Sequence, residues 1–203
     1  MSKAQAIAEV VSATVTGIVA QTLPKDGAAL EPSGKPRFGS FLRVPSGKDG
    51  VSIIAVVHDV LTGPIDGVHR TSAFGLTREQ LQSEQPQIFA LLRTDIHASI
   101  IGYVKGSQSF CHLPPHPPEV HDFVHHATAH DITLITEDFD FLRLLSSLST
   151  LPTDELLAAA IREAYVAGGK DHKFLERAGQ SLCQLFRADY DRLVSILKKI
   201  RPN

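Results

Sequence analysis

Two apolar runs that flank a short polar turn dominate the first half of the chain. The first run, Phe38–Val44, alternates, so that its even-numbered and odd-numbered residues face opposite ways. The second run, Val51–Val57, is nearly continuous and β-branched, which is typical of a strand that is covered on both faces. The turn between them holds Pro45, Gly47, Asp49 and Gly50, and glycine supplies the positive φ that closing residues need. This pattern predicts the central hairpin of a small barrel.

Further strands are expected on either side of this hairpin. Residues Val11 to Val19 alternate as a first strand, and Ala4–Val10 is expected to be a short lead-in helix. Ile96–Val104 returns to alternation and is a plausible closing strand. Between the two sets of strands, Thr77 and Gln80 form a capping-box pattern, and Pro86 suits the first turn of a second helix over Gln87–Leu92. The sequence therefore predicts a helical insertion in a β domain.

The composition changes after Gly106. The proline-dense junction 112–118 cannot continue a sheet, and helical periodicity follows it. The segment Ile132–Thr136 is compatible with a strand or a helix. Helices are expected over the following segments: Glu119–His126, Glu137–Leu148, Thr153 to Gly168, and Asp171 to Ile200.

These elements predict an α+β protein: a small closed or nearly closed antiparallel β-barrel with a helical insertion, followed by an all-α C-terminal region. We place a barrel domain at 1–110 and a helical region at 111–203.

Composition narrows the class of protein. The chain has 203 residues, a net charge of −2 and two isolated cysteines. The net charge argues against a dedicated nucleic-acid binder, and the cysteine spacing indicates neither a disulfide framework nor a zinc ribbon. The N-terminus lacks a signal-peptide pattern, and no apolar run is long enough to span a membrane. We expect a soluble, cytoplasmic protein.

The order of the predicted strands resembles the HAS-barrel family, the small barrel at the N-termini of HerA-type translocases and of rotary ATP synthase α and β subunits. The resemblance rests on Gly17-Ile18-Val19, Phe38–Val44, Val51–Val60 and Ile100-Ile101-Gly102-Tyr103. It implies a collar-like barrel that contacts neighbouring subunits or a partner protein. It implies no catalytic residue.

An attached ATPase motor would need a phosphate loop, GxxxxGK followed by Ser or Thr. The Gly-Lys pairs at Gly34, Gly47 and Gly169 are followed by Pro36, Asp49 and Asp171, so none fits. The sequence thus indicates a barrel without its motor, with no cofactor and no enzymatic activity.

A cluster of histidines raises a second hypothesis, a metal-binding protein or metal-dependent hydrolase that uses residues 112–130. His121 and His125 are four apart, which would place both imidazoles on one face of a helix, where they could chelate a metal. The more ordinary interpretation is a solvated, His-rich surface.

Basic residues near the hairpin raise a third hypothesis, an accessory factor for a DNA-processing ATPase. Lys35, Arg37 and Arg43 are candidate contacts to phosphate or to a partner, but no aromatic residues lie between them for base stacking. Two other candidates are weaker: Cys111 as a nucleophile, and the pair His58-Asp59, whose side chains should point to opposite faces of a strand. Cys183 is expected in the core.

The leading hypothesis is a non-catalytic assembly or adaptor protein that uses its barrel for self-association or protein docking. The amphipathic C-terminal helix is the expected contact surface beyond the barrel.

Overall fold

The computed structural model describes residues 6–23, 36–46, 50–64, 72–148 and 151–200. In these ranges the strands are β1 (Ala8–Ala13), β2 (Gly17–Thr22), β3 (Phe41–Ser46), β4 (Val51–Pro64), β5 (Leu92–Lys105), β6 (Gln108–Phe110) and β7 (Phe123–His126). The helices are α1 (Arg78–Glu84), α2 (Gln87–Ala90), α3 (Ala129–Ile135), α4 (Phe141–Ser146), α5 (Thr153–Ala167), α6 (His172–Leu185) and α7 (Tyr190–Ile200). None of these helices is long and apolar enough to cross a lipid bilayer.

The strands form one antiparallel sheet in the order β2-β1-β7-β3-β4-β5-β6. An additional pairing of β2 with β5 closes the first six of these strands into a barrel, and β6 lies beside β5 outside that ring. The predicted α+β class is therefore confirmed, as a closed barrel followed by helices.

The predicted central hairpin is confirmed. β3 and β4 pair in register from Phe41↔Val56 to Ser46↔Val51, and Gly50 has the expected positive φ of 67°. Phe38–Ser40 precede the strand, and Pro45, assigned to the turn, lies within β3.

Apolar side chains pack on both faces of the barrel. One cluster fills its interior and includes Leu42, Val44 and Ile53. The other lies between the outer face of β3–β5 and the helices, where Ile54 and Val56 meet residues of α3 to α7. The predicted burial of both faces of β4 is therefore correct.

Gly39 lies where the barrel meets α5. Its φ is +84°, and a Cβ at this position would collide with the Cβ and the carbonyl carbon of Ala159. Only glycine combines this backbone conformation with so close an approach of a helix.

Four predictions of local structure are wrong. Residues Ala8–Val10, expected to end a lead-in helix, belong to β1, and the single strand expected over 11–19 is a hairpin whose turn is held by the Thr14 hydroxyl. The helix expected over Glu119–His126 is absent, because Phe123–His126 form β7 between β1 and β3. The long helix expected over 171–200 is two helices, α6 and α7.

Other expectations are resolved or corrected in the same region. Ile132–Thr136, left open by the sequence, lies in α3 and its C-cap. Cys183, expected in the core, is exposed. The division at residue 110 stays a prediction, although β7 follows that position and completes the barrel.

Candidate functional site

The long hairpin of β4 and β5 extends beyond the barrel and carries the helical insertion. β2 accompanies β5 only as far as Asp95, so the pairs Thr62↔Thr94, Gly63↔Arg93 and Pro64↔Leu92 belong to a two-stranded extension in the described part of the sheet. The hydroxyls of Thr62 and Thr94 lie 2.9 Å apart and join the two strands. We call this extension, residues 61–64 and 72–95, the arm.

Local sequence fixes the helix at the tip of the arm. The Thr77 hydroxyl accepts a hydrogen bond from the backbone N–H of Gln80 at 3.2 Å, and the Gln80 side chain accepts from the N–H of Thr77 at 2.9 Å. This is the predicted capping box, and it is confirmed. The Arg78 guanidinium lies 4.8 Å from the centre of the Phe89 ring and connects α1 with α2.

The arm exposes an unusual amount of apolar side chain. α1 has no buried residue. Large hydrophobic side chains of the arm are 40–58% exposed at Leu61, Phe74, Leu76 and Leu91. The charged residues beside them have both signs, as in the Arg93–Asp95 ion pair of 3.2 Å. An apolar surface with balanced charge suits a protein partner better than nucleic acid.

The histidine pair predicted as a metal site does not share a helical face. His121 has a φ of +76°, is exposed and forms a hydrogen bond with the carboxylate of Glu9 in β1. His125 lies in β7 and is only 3% exposed, and among the described residues its Nδ1 atom has no hydrogen-bond partner. The helical geometry assumed for the pair is therefore wrong. Among the described residues, no group of three or more His, Cys, Asp or Glu side chains is placed to hold a metal ion.

Two of the three predicted phosphate contacts are described, and both have carboxylate partners within the chain. Arg43 donates from Nη1 to both carboxylate oxygens of Asp131, at 2.9 and 3.1 Å. Arg37 is 3.4 Å from Glu163 of α5. Lys35 lies outside the described residues. The ion pair of Arg43 with Asp131 thus links β3 to α3.

The other two candidates, Cys111 and the pair His58-Asp59, both lie within the described residues. Burial raises the pKa of the Cys111 thiol to about 11, aided by Asp140 and Asp138, and its S–H donates to the carbonyl of Ile135. This thiol therefore stays protonated at neutral pH, whereas only the deprotonated thiolate acts as a nucleophile.

His58 occupies a bulge in β4. Its Nδ1 is 3.0 Å from the hydroxyl of Ser99, which is almost fully buried. Burial and the nearby His97 lower the pKa of His58, while Asp59 opposes this shift. Asp59 lies within β4, and its carboxylate accepts from the backbone N–H of Val60.

Sequence analysis did not single out the exposed apolar residues of the arm. The signal available was local: Phe74 and Leu76 flank Gly75 in a loop, where large hydrophobic residues are uncommon. The apolar stripe of the C-terminal helix, expected to be a contact surface, is instead buried within the chain through Leu193, Ile196 and Ile200.

Residues 15–106 match the family model of the HAS barrel domain. No curated protein matches the chain. The matched segment contains β2 to β5 and the whole arm, which agrees with the strand order described above. Residues 15–106 of this chain therefore belong to a HAS barrel domain.

Proposed function

We propose that this protein is a non-catalytic assembly protein, and that the arm of its HAS barrel packs against the arm of a second copy. The exposure of Leu61, Phe74, Leu76 and Leu91 on one projecting element carries this proposal. These four side chains contribute nothing to either apolar cluster of the fold. A contact with a second chain would bury these side chains, which the single chain leaves exposed.

Burial energetics support a contact at this position. Complete burial of one large apolar side chain stabilises an interface by about 1.5–3 kcal/mol. Aromatic anchors such as Phe74 carry a disproportionate share of binding energy in protein interfaces. The arm offers one exposed aromatic and three exposed leucine side chains, and these would form the apolar centre of the contact.

The charges on the arm favour a second copy as the partner. A two-fold interface brings the same patch together from both subunits, so the patch must be self-complementary. The arm has exposed Arg78 beside Glu79, and Arg93 beside Asp95. Two such surfaces in antiparallel contact can pair opposite charges around an apolar centre. The protonated Cys111 thiol supports the non-catalytic part of the proposal.

The test compares the association state of the native chain with that of a double variant, Phe74→Ser with Leu91→Ser. Size-exclusion chromatography with light scattering over a range of concentrations should give a dimer or larger assembly for the native chain. The arm variant should dissociate at concentrations at least about tenfold higher, because two anchors are lost.

The control is Val120→Ser with Val166→Ser, which removes two side chains that are 52% and 57% exposed outside the arm. This control should associate like the native chain. A native chain that stays monomeric at every concentration, or equal dissociation of both variants, would overturn the proposal.

A further inference from the structure

A cavity of about 520 Å³ opens between α4 and the end of α6. Its walls are formed by Arg143 from α4, Gln184 and Leu185 from the last turn of α6, and Arg187 just beyond that helix. The lining thus combines two guanidinium groups and one amide with a single apolar side chain. No carboxylate lines this cavity in the described part of the chain.

The two arginines of this cavity differ from the other arginines of the described ranges. Each of the other seven has a partner for its guanidinium: a carboxylate, a backbone carbonyl or an aromatic ring. Four have a carboxylate partner: Arg37–Glu163, Arg43–Asp131, Arg93–Asp95 and Arg192–Asp154. Arg162 and Arg177 donate to the backbone carbonyls of Lys199 and Glu137, and the guanidinium of Arg78 lies over the ring of Phe89. Within those ranges, only Arg143 and Arg187 have guanidiniums with no such partner, and both line the same cavity.

A second cavity of similar size provides a comparison. It measures about 540 Å³ and is lined by Asp154 and Glu155 together with Arg192. Its arginine is neutralised by Asp154 at 2.7 Å. Arginines without a carboxylate partner are therefore found in the first cavity and not in the second, where Asp154 pairs with Arg192.

We propose that the cavity of Arg143, Gln184 and Arg187 binds the phosphate group of a small phosphorylated molecule. Guanidinium groups donate two parallel hydrogen bonds to an oxyanion, and a phosphate dianion has enough oxygen atoms to accept from both arginines and from the Gln184 amide. The repulsion between two neighbouring cations is relieved when the anion binds.

The size and lining of the cavity favour a small molecule over a nucleic acid. Its volume lies in the range of about 300–1,000 Å³ that is usual for small-molecule sites. Its described walls contain no aromatic side chain on which a base could stack, and such stacking contributes much of the affinity for single strands. The site is independent of the arm and of the proposed self-association.

The test is isothermal titration of the native chain with inorganic pyrophosphate, and separately with orthophosphate, at about 0.15 M ionic strength. We expect binding of pyrophosphate, and weaker binding of orthophosphate, at one site per chain. A native chain that binds neither anion would overturn the proposal. Arg143→Gln with Arg187→Gln should weaken it at least about tenfold, because two charge-assisted contacts are lost. Arg143→Lys with Arg187→Lys should give an intermediate affinity, since lysine keeps the charge but loses the bidentate geometry.

The matched control is Lys170→Gln with Lys173→Gln, which removes the same charge from exposed positions that do not line the cavity. It should bind pyrophosphate like the native chain. Equal weakening in the control would show diffuse attraction and overturn the proposal.

Two further outcomes would also overturn it. One is arginine-dependent binding of a single-stranded oligonucleotide without binding of pyrophosphate. The other is a melting temperature lowered by the arginine substitutions in a chain that binds no phosphate. In that second case Arg143 and Arg187 would serve only to balance the negative ends of α4 and α6.

Discussion

At the scale of single residues, the contact of Arg43 with Asp131 is the clearest electrostatic link between the barrel and the helices. The Asp131 side chain is 5% exposed and that of Arg43 26%. Burial alone raises the pKa of Asp131, but hydrogen bonds from the Thr128 hydroxyl and N–H, together with Arg43, outweigh it and hold this pKa below its ordinary value. A group whose pKa is lowered by folding stabilises the native state only while it is ionised.

Asp131→Asn should therefore lower the free energy of unfolding by about 2 kcal/mol at neutral pH, since a charged hydrogen-bond acceptor is lost. The stability difference between the native chain and the variant should stay constant above about pH 5 and shrink as the pH falls below about 4, where Asp131 becomes protonated in the unfolded and then the folded chain. Urea denaturation at a series of pH values measures this difference.

The control for that measurement is Glu163→Gln, which removes the exposed ion pair with Arg37. Its effect should stay below about 0.5 kcal/mol because water screens exposed pairs. A difference for Asp131→Asn that grew on acidification would contradict the assignment.

At the scale of elements, the sequence predicts well where the signal is local. The β3–β4 hairpin and the capping box of α1 follow from residues that are close along the chain. β7 has four residues, and its hydrogen bonds go to β1 and β3, which are distant in sequence. Such a strand leaves too short a pattern to be distinguished from a helical turn.

The break between α6 and α7 had a local signal that was missed. Asp189 accepts from the backbone N–H of Arg192 at 3.1 Å, as an N-cap residue does, although no proline or glycine marks the position. The pair Arg143 and Arg187 could not be predicted, because these two residues are distant in sequence and only the tertiary structure brings them to one cavity.

Two capping boxes of the same design lie in very different surroundings, which leads to a paired prediction. Thr128 caps α3, whose Ile132 and Ile135 are buried, whereas Thr77 caps α1, which has no buried residue. Thr128→Ala should lower the global free energy of unfolding by about 1–2 kcal/mol. Thr77→Ala should leave it unchanged and only accelerate hydrogen exchange within α1, because α1 can unfold without disturbing the core. Equal shifts in melting temperature would show that the arm is part of the cooperative unit.

At the scale of the whole molecule, the barrel and the helices share one apolar cluster. Phe41, Ile54, Val56 and Ile101 of the barrel pack against helical residues, and their side chains are 0–2% exposed. The matched family segment ends before β7 and begins after β1, two of the strands that close the ring. The barrel of this chain therefore depends on residues outside the matched segment.

A fragment of residues 1–110 should consequently fail to unfold cooperatively. It lacks β7, so β1 and β3 lose their pairing partner, and it uncovers the apolar outer face of β3–β5. We expect a weak, broad thermal transition and strong binding of the dye ANS, which marks exposed apolar surface. A fragment of residues 1–127 regains β7 but not the helices, so it should recover sheet structure and still bind ANS. If the shorter fragment unfolds in one sharp transition with the midpoint of the whole chain, neither β7 nor the helical cover is needed to close the barrel.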